Sequence, residues 1–245
     1  MVKLCSLVIG CIWVLVSPGG RSANGAELEP RLRAEGDRPR VGQVLELTVD
    51  AAAASADSVR VIVRSRGAQQ RLEPVKSVDG KLTYRTTPQH AATYMVATTI
   101  EPPADAAERT WRFEKWFFRL PGPDASGSAS ATARFPQTLE LTPLVDPMHV
   151  PLGTDLPIRV KFNDADLKDA KLRVQKPTRA NEPPAVIEAP ATNAQGLTNI
   201  RIDAAGVWTL SLVHTAARER APDAKPDRFE SVMTFAAGGP QADGR

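Results

Sequence analysis

Apolar and polar residues alternate in short runs through most of this chain, and the alternation is written twice. Gly42 is followed three, five and seven residues later by Leu45, Leu47 and Val49, and Gly153 at the same offsets by Leu156, Ile158 and Val160. Val59, Val61 and Val63 then stand 17, 19 and 21 residues past Gly42, as Ala170, Leu172 and Val174 stand past Gly153. Each copy runs on through a turn glycine, Gly80 or Gly196, to a segment with a large aromatic near its start, Tyr94 or Trp208. A period of two puts successive side chains on opposite faces of a pleated strand, so each run predicts a strand with one face toward a core.

The runs predict strands over 43–49, 58–64, 70–76, 82–86, 93–100 and 110–119, and again over 138–142, 155–162, 170–176, 185–189, 197–202, 206–214 and 229–236. No stretch carries an amphipathic helical pattern of useful length, and the apolar character of 51–54 comes from alanine alone. Asp79-Gly80 predicts a tight hairpin, because a type I′ turn needs positive φ angles that these two residues tolerate. Pro121-Gly122-Pro123-Asp124 followed by Ser126-Gly127-Ser128-Ala129-Ser130 lacks large apolar groups and reads as a linker. Even strand spacing with 21 prolines and 16 glycines favours antiparallel sandwiches over an α/β fold. The expectation is an all-β chain of two tandem antiparallel β-sandwich domains, Ig-like or transthyretin-like, at 31–120 and 135–237. A linker at 121–134 would join them, and a disordered tail would span 238–245.

Composition changes this picture mainly at the start. Lys3, an apolar stretch from Leu4 to Val16 broken only by Ser6 and Gly10, and small residues ending at Ala26 read as a signal peptide over 1–26. Its core is shorter than the ~20 residues of a membrane-spanning helix, so no transmembrane segment is expected beyond it, and the mature chain is expected to be periplasmic or secreted. Val8-Ile9-Gly10-Cys11 looks like a lipoprotein box, but the apolar core continues past Cys11, which argues against acylation there. Both cysteines, Cys5 and Cys11, fall in this segment, so no disulfide holds the mature chain together. Of 31 basic and 28 acidic side chains, Lys3 and Arg21 also fall there, leaving a nearly neutral protein. That balance argues against a nucleic-acid partner, and Arg218-Glu219-Arg220 reads as a solvated loop.

The sequence has no Gly-x-Ser-x-Gly elbow, no His-Glu-x-x-His and no phosphate-cradling glycine loop, so no catalytic residue is assigned. Its three histidines, His90, His149 and His214, are not spaced as a local ligand set. Asp146, His149 and His214 are the candidate metal ligands if loop and strand bring them together, which would make a divalent ion the only cofactor. His214, ending a long strand, reads first as structural. Asn163, Asp164, Asp166 and Asp169 suggest calcium but lack the glycine and terminal glutamate of a helix-loop-helix calcium loop, so turn residues explain them better. Trp111, Phe113, Trp116, Phe117 and Phe118 crowd one predicted strand. Trp111, Phe113 and Phe117 share a face with Lys115, and Trp116 and Phe118 share the other with Arg112 and Glu114. Core packing is the ordinary fate of such a strand. Trp111, Trp116 and Phe118 are the candidate binding surface if one side lies open as a platform for a sugar ring or a partner.

Residues 135–236 resemble a known family on Leu139-Glu140-Leu141-Thr142-Pro143 with Asp146-Pro147, the run from Gly153 to Val160, and Phe162-Asn163-Asp164-Ala165-Asp166. They do so again on Ala205-Gly206-Val207-Trp208-Thr209-Leu210 with His214, and on Ser231-Val232-Met233-Thr234-Phe235. The segment is similar to exported bacterial β-sandwich proteins of uncharacterised function, described as periplasmic accessory components of nickel uptake. The resemblance implies an exported, non-catalytic binding or accessory protein of the cell envelope linked to nickel or cobalt handling. The family's metal-linked members begin with a histidine near an aromatic, whereas the expected mature start here is Glu27-Leu28-Glu29-Pro30, with no histidine before His90. The alternative expectation is therefore a structural or adhesion-like sandwich that engages another envelope protein or a polysaccharide, with no metal role.

Overall fold

The computed structural model describes residues 31–34, 39–51, 54–122, 129–179, 182–218 and 224–238. The leader expected at 1–26, with Cys5 and Cys11, lies outside them, as do 123–128 of the expected linker and the expected tail after Gly238. The first half forms β1 (Arg31–Ala34), β2 (Leu45–Asp50), β3 (Val59–Ser65), β4 (Ala68–Leu72), β5 (Pro74–Val78), β6 (Lys81–Thr86), β7 (Thr93–Ile100) and β8 (Thr110–Arg119). The second half forms β9 (Leu139–Pro143), β10 (Thr154–Phe162), β11 (Ala165–Asp166), β12 (Arg173–Lys176), β13 (Ala185–Glu188), β14 (Leu197–Ile202), β15 (Gly206–Ala216) and β16 (Asp227–Ala237). Short 3-10 turns at Ala56–Ser58 and Pro147–His149 are the helical pieces among the described residues. The fold is all-β, as the alternation predicts.

Turn chemistry sets several registers. Asp79 and Gly80 have φ of 49° and 72° and join β5 to β6 in the expected tight hairpin. Asn163 and Asp164, at 48° and 65°, do the same between β10 and β11, so this part of the acidic cluster forms a turn. The run expected at 70–76 is two strands: at Glu73 the chain leaves one sheet for another.

The strands form three sheets. A short N-terminal sheet has the order β1-β2-β6-β5, and a short C-terminal sheet places β10 between β9 on one side and β14 with β11 on the other. The third, eight-stranded, runs through both halves in the order β13-β12-β15-β16-β8-β7-β3-β4. Its order reads as the doubled sequence does, with β3 answering β12, β7 answering β15 and β8 answering β16. The two copies meet where β8 and β16 pair in parallel, Trp111 beside Phe229 and Lys115 beside Met233.

That parallel seam has a geometric consequence. A two-fold operation that lays equivalent strands side by side without reversing them has its axis along the strands, and it turns the sheet over. The short sheets must therefore cover opposite faces of the long one, and the cores show that they do. One core draws on residues from Leu45 to Leu120, among them Val61, Tyr84, Tyr94, Val96 and Phe118, on one face of β3, β7 and β8. The other joins Leu141, Leu156, Ile158, Trp208, Leu210 and Phe235 to Ile62, Met95, Ala97, Phe113 and Phe117 on the reverse face.

The reverse face of the first half is apolar and must be covered. Residues 129–141 do this: Ala131 and Phe135 are buried, the Gly67 amide donates to Ser130 Oγ (2.7 Å), Arg64 Nη1 donates to the Arg134 carbonyl (2.8 Å), and Gln137 Nε2 donates to the Thr98 carbonyl (3.1 Å). The described part of the expected linker, 129–134, is thus packed against the first half.

Candidate functional site

Asp146 and His149 come together because Asp146 caps the Pro147–His149 turn. One carboxylate oxygen accepts from the Met148 amide (2.9 Å), and the other meets His149 Nδ1 (3.0 Å). This contact fixes the ring orientation and leaves Nε2 on the far side from the carboxylate. That Nε2 is enclosed by protein and has no hydrogen-bond partner among the described residues.

His214 lies in a row across the long sheet. It is opposite Phe229 on β16, which is opposite Trp111 on β8, so the three side chains share a face. Trp111 stacks on Phe229 at 6.3 Å, and Phe162 from the end of β10 meets Phe229 edge-on at 5.0 Å and the His214 ring at 4.4 Å. Partial burial pushes the His214 imidazole pKa below its ordinary value, which disfavours the charged form. Among the described residues no group of three or more His, Cys, Asp or Glu is placed to hold a metal ion. Asp146 and His149 form a pair, and His214 stands in an aromatic row.

The aromatic strand splits as its alternation predicts. Phe113, Lys115 and Phe117 face one core, while Phe118, buried and stacked on Tyr94 at 5.1 Å, faces the other. Trp111 and Trp116 are partly buried at the margins of the two cores, Trp116 with its ring 5.6 Å from Phe118. Trp116 lies opposite Thr234 of β16, where the first core stops. Beyond it, the corresponding face of β15 and β16 carries Thr209, Ser211, Val213, Val232 and Thr234, all half-buried or exposed, Val213 at 47%. The result is a step with Trp116 at its foot and beside it a sheet face of Thr, Ser and Val side chains that no other described strand covers.

At one end of that step is a cleft of about 350 Å³ lined by Asp50, Ala51, Ile100, Glu101, Glu108 and Arg112. Its charges are partnered: Glu101 with Arg60 (3.4 Å), Glu108 with Lys225, and Arg112 with Glu230 across the seam (3.5 Å). Next to it, Asp227 at the start of β16 accepts from Arg109 and from Arg218 Nε (2.7 Å), and Arg218 Nη2 also donates to the Ala107 carbonyl (3.0 Å). Those guanidinium hydrogen bonds hold the Asp227 carboxyl below the usual carboxylate range. Arg218, expected in a solvated loop, is therefore a structural clasp between the halves, while Glu219 and Arg220 lie outside the described residues.

One pair that the sequence reading missed lies at the junction of the halves. Lys115 Nζ donates to Glu140 Oε1 (2.6 Å) and to the Leu141 carbonyl (3.0 Å), with the two side chains 2% and 1% exposed. Burial pushes the Lys115 pKa down, against the attraction of Glu140.

Known proteins add a family and little else. No curated protein sequence matches the chain. Among solved structures, a crystal structure of pullulanase type I from Bacillus subtilis complexed with maltose is similar at 10% identity over 77% of this chain and 24% of that one, with a TM-score of 0.18. The chain spans about a quarter of that protein, and a likeness this weak carries no argument. A family model matches residues 33–216, which takes in the first half and the second as far as Ala216, short of the Ser231–Phe235 strand, and it supports an uncharacterised family with no nickel description. The chain belongs to the family described as Domain of unknown function (DUF4198).

Proposed function

We propose that the protein is an exported, non-catalytic binding component of the cell envelope, and that it engages a polysaccharide or another envelope protein through the uncovered face of β15 and β16 beside Trp116. The step is the observation that supports this reading. A tryptophan at the foot of a sheet face that mixes the Thr209, Ser211 and Thr234 hydroxyls with Val213 and Val232 offers a ring to stack on and donors and acceptors around it, the combination that suits a sugar ring or an extended chain. Co-sedimentation of residues 27–245 with purified envelope polysaccharide tests it, in parallel with chemical cross-linking in intact envelopes. Trp116→Ala with Thr234→Lys should abolish retention and cross-links while the circular dichroism spectrum is kept; full retention by the variant overturns the reading.

A second reading, nickel or cobalt handling, is favoured by the Asp146–His149 pair, whose carboxylate orients an imidazole as second-shell carboxylates do at metal sites. Calorimetric titration with nickel, cobalt, zinc and calcium separates the two. Micromolar binding lost in His149→Ala supports the metal reading. No binding of any of the four, with His149→Ala and His214→Ala indistinguishable from wild type, removes it.

A further inference from the structure

The Lys115–Glu140 pair sits where the two halves are joined, yet it is poorly suited to holding them by energy alone. Its cross-strand neighbours are Ala97 and Met233, both buried, so the ammonium is taken out of water among apolar groups. Desolvating two charges costs several kcal/mol per ion, and attraction offsets this only when the remaining hydrogen bonds are complete. Glu140 falls short of that: Oε1 accepts from Lys115 and from the Phe135 amide, while Oε2 is enclosed and, among the described residues, has only Arg134 Nε beside it, at a long 3.5 Å. The pair does discriminate between placements. A one-residue slip of β9 would put Leu139 or Leu141 where Glu140 stands, and a two-residue slip would put Thr138 or Thr142 there. Each slip buries the ammonium without its counter-ion. Lys115 also occupies the Leu141 carbonyl on the edge of β9 that β10 leaves unpaired.

We propose that the Lys115–Glu140 pair is a latch that fixes residues 129–141 in one register across the reverse face of β7 and β8, and so selects how the second half docks on the first, at a cost in stability. Arg134 forms its outer part: it lies beside Glu140 Oε2 and holds Asp164 in the β10–β11 turn, while Arg64 stacks over Phe135 at 5.7 Å. Pair and cover form one unit, in which the charges choose the register and Ala131 and Phe135 supply the apolar contact.

The test compares Lys115→Met, Glu140→Leu and the double variant K115M/E140L in residues 27–245 by thermal unfolding and by the rate of trypsin cleavage after Arg134. Each single variant leaves one buried charge unpaired and should lower Tm by about 10 °C or prevent folding. The double variant should regain the wild-type Tm or exceed it, and be cut after Arg134 at least about tenfold faster, because packing returns and register selection does not. A double variant that fails to fold, or melts no higher than the single variants, makes the pair a stabiliser and overturns the proposal. Wild-type protection of Arg134 in a folded double variant overturns it equally.

Discussion

Met95 on β7 and Thr209 on β15 hold equivalent places, one residue after Tyr94 and Trp208, and the difference between them separates the two halves. Met95 points to the reverse face of its strand and is buried beneath the covering segment; Thr209 points to the corresponding face of its own half and is half-exposed. The same holds one step along, where Ala97 is buried and Ser211 half-exposed. Both halves keep the device that opens the pattern: Gly42 and Gly153, at φ of 77° and 79°, each donate an amide hydrogen bond of 2.7 Å to a carbonyl near the end of the paired strand, Pro88 and Ile202. The duplication thus preserves the backbone frame, and the halves diverge in what covers the back of the long sheet. The first half is covered on both sides. The second has one side that no described residue covers in the same way, and there lies the face proposed for binding.

The largest test of this comparison is Trp208→Ala. The indole is fully buried and donates to the Ala204 carbonyl (3.0 Å), so truncation should cost about 3–5 kcal/mol in urea unfolding. Because the long sheet crosses the seam, the loss should appear as a shift of one transition; a separate early transition confined to the second half would show that the halves unfold independently. Next come reciprocal exchanges. Met95→Thr should cost about 2–3 kcal/mol, whereas Thr209→Met should stay within about 0.5 kcal/mol, measured the same way. Equal costs would mean that the two faces are covered alike.

Asp227→Asn should cost about 2 kcal/mol near neutral pH, because it strips the charge from the clasp with Arg109 and Arg218. The Asp227 carboxyl is held below its unfolded value. Its stabilisation is therefore complete above about pH 4 and is lost as pH falls through the lowered folded value, and the asparagine variant should show a flatter acid limb in unfolding experiments. The smallest test is Gly42→Ala against Gly153→Ala. An added Cβ meets nothing within 4 Å at the first and only the Arg201 guanidinium at 3.9 Å at the second. Each should cost about 1 kcal/mol from the positive φ alone, and unequal costs would mean the frame is less alike than its hydrogen bonds indicate.

Period-two runs made most strands legible, and those at 93–100 and 110–119 have the predicted bounds. β1 and β11 were not: β11 has two residues, too few to display a period, and the four of β1, Arg31-Leu32-Arg33-Ala34, carry one large apolar residue. The parallel seam left no local signal either: its partners are more than a hundred residues apart, and the small residues of 121–134 look the same whether they lie in solvent or under a sheet. At the candidate site, the Asp146–His149 turn is legible because its spacing is local. The latch had a quieter mark: Lys115 is a lone charge on a strand face between Phe113 and Phe117, and Glu140 is the one charged residue of its strand, with Thr138 and Thr142 beside it on the same face. Each looks like an exception until the other is known.

The parallel seam also imposes an order of events on folding. β8 can pair with β7 as soon as 93–119 is available, but its other edge stays a row of unpaired amides and carbonyls until residues 227–237, the last strand of the described chain, arrive. Until then an apolar strand with an open edge is a template for the same strand of another molecule. A chain cut short before Asp227 should thus associate through β8, and the final strand doubles as the guard against that fate.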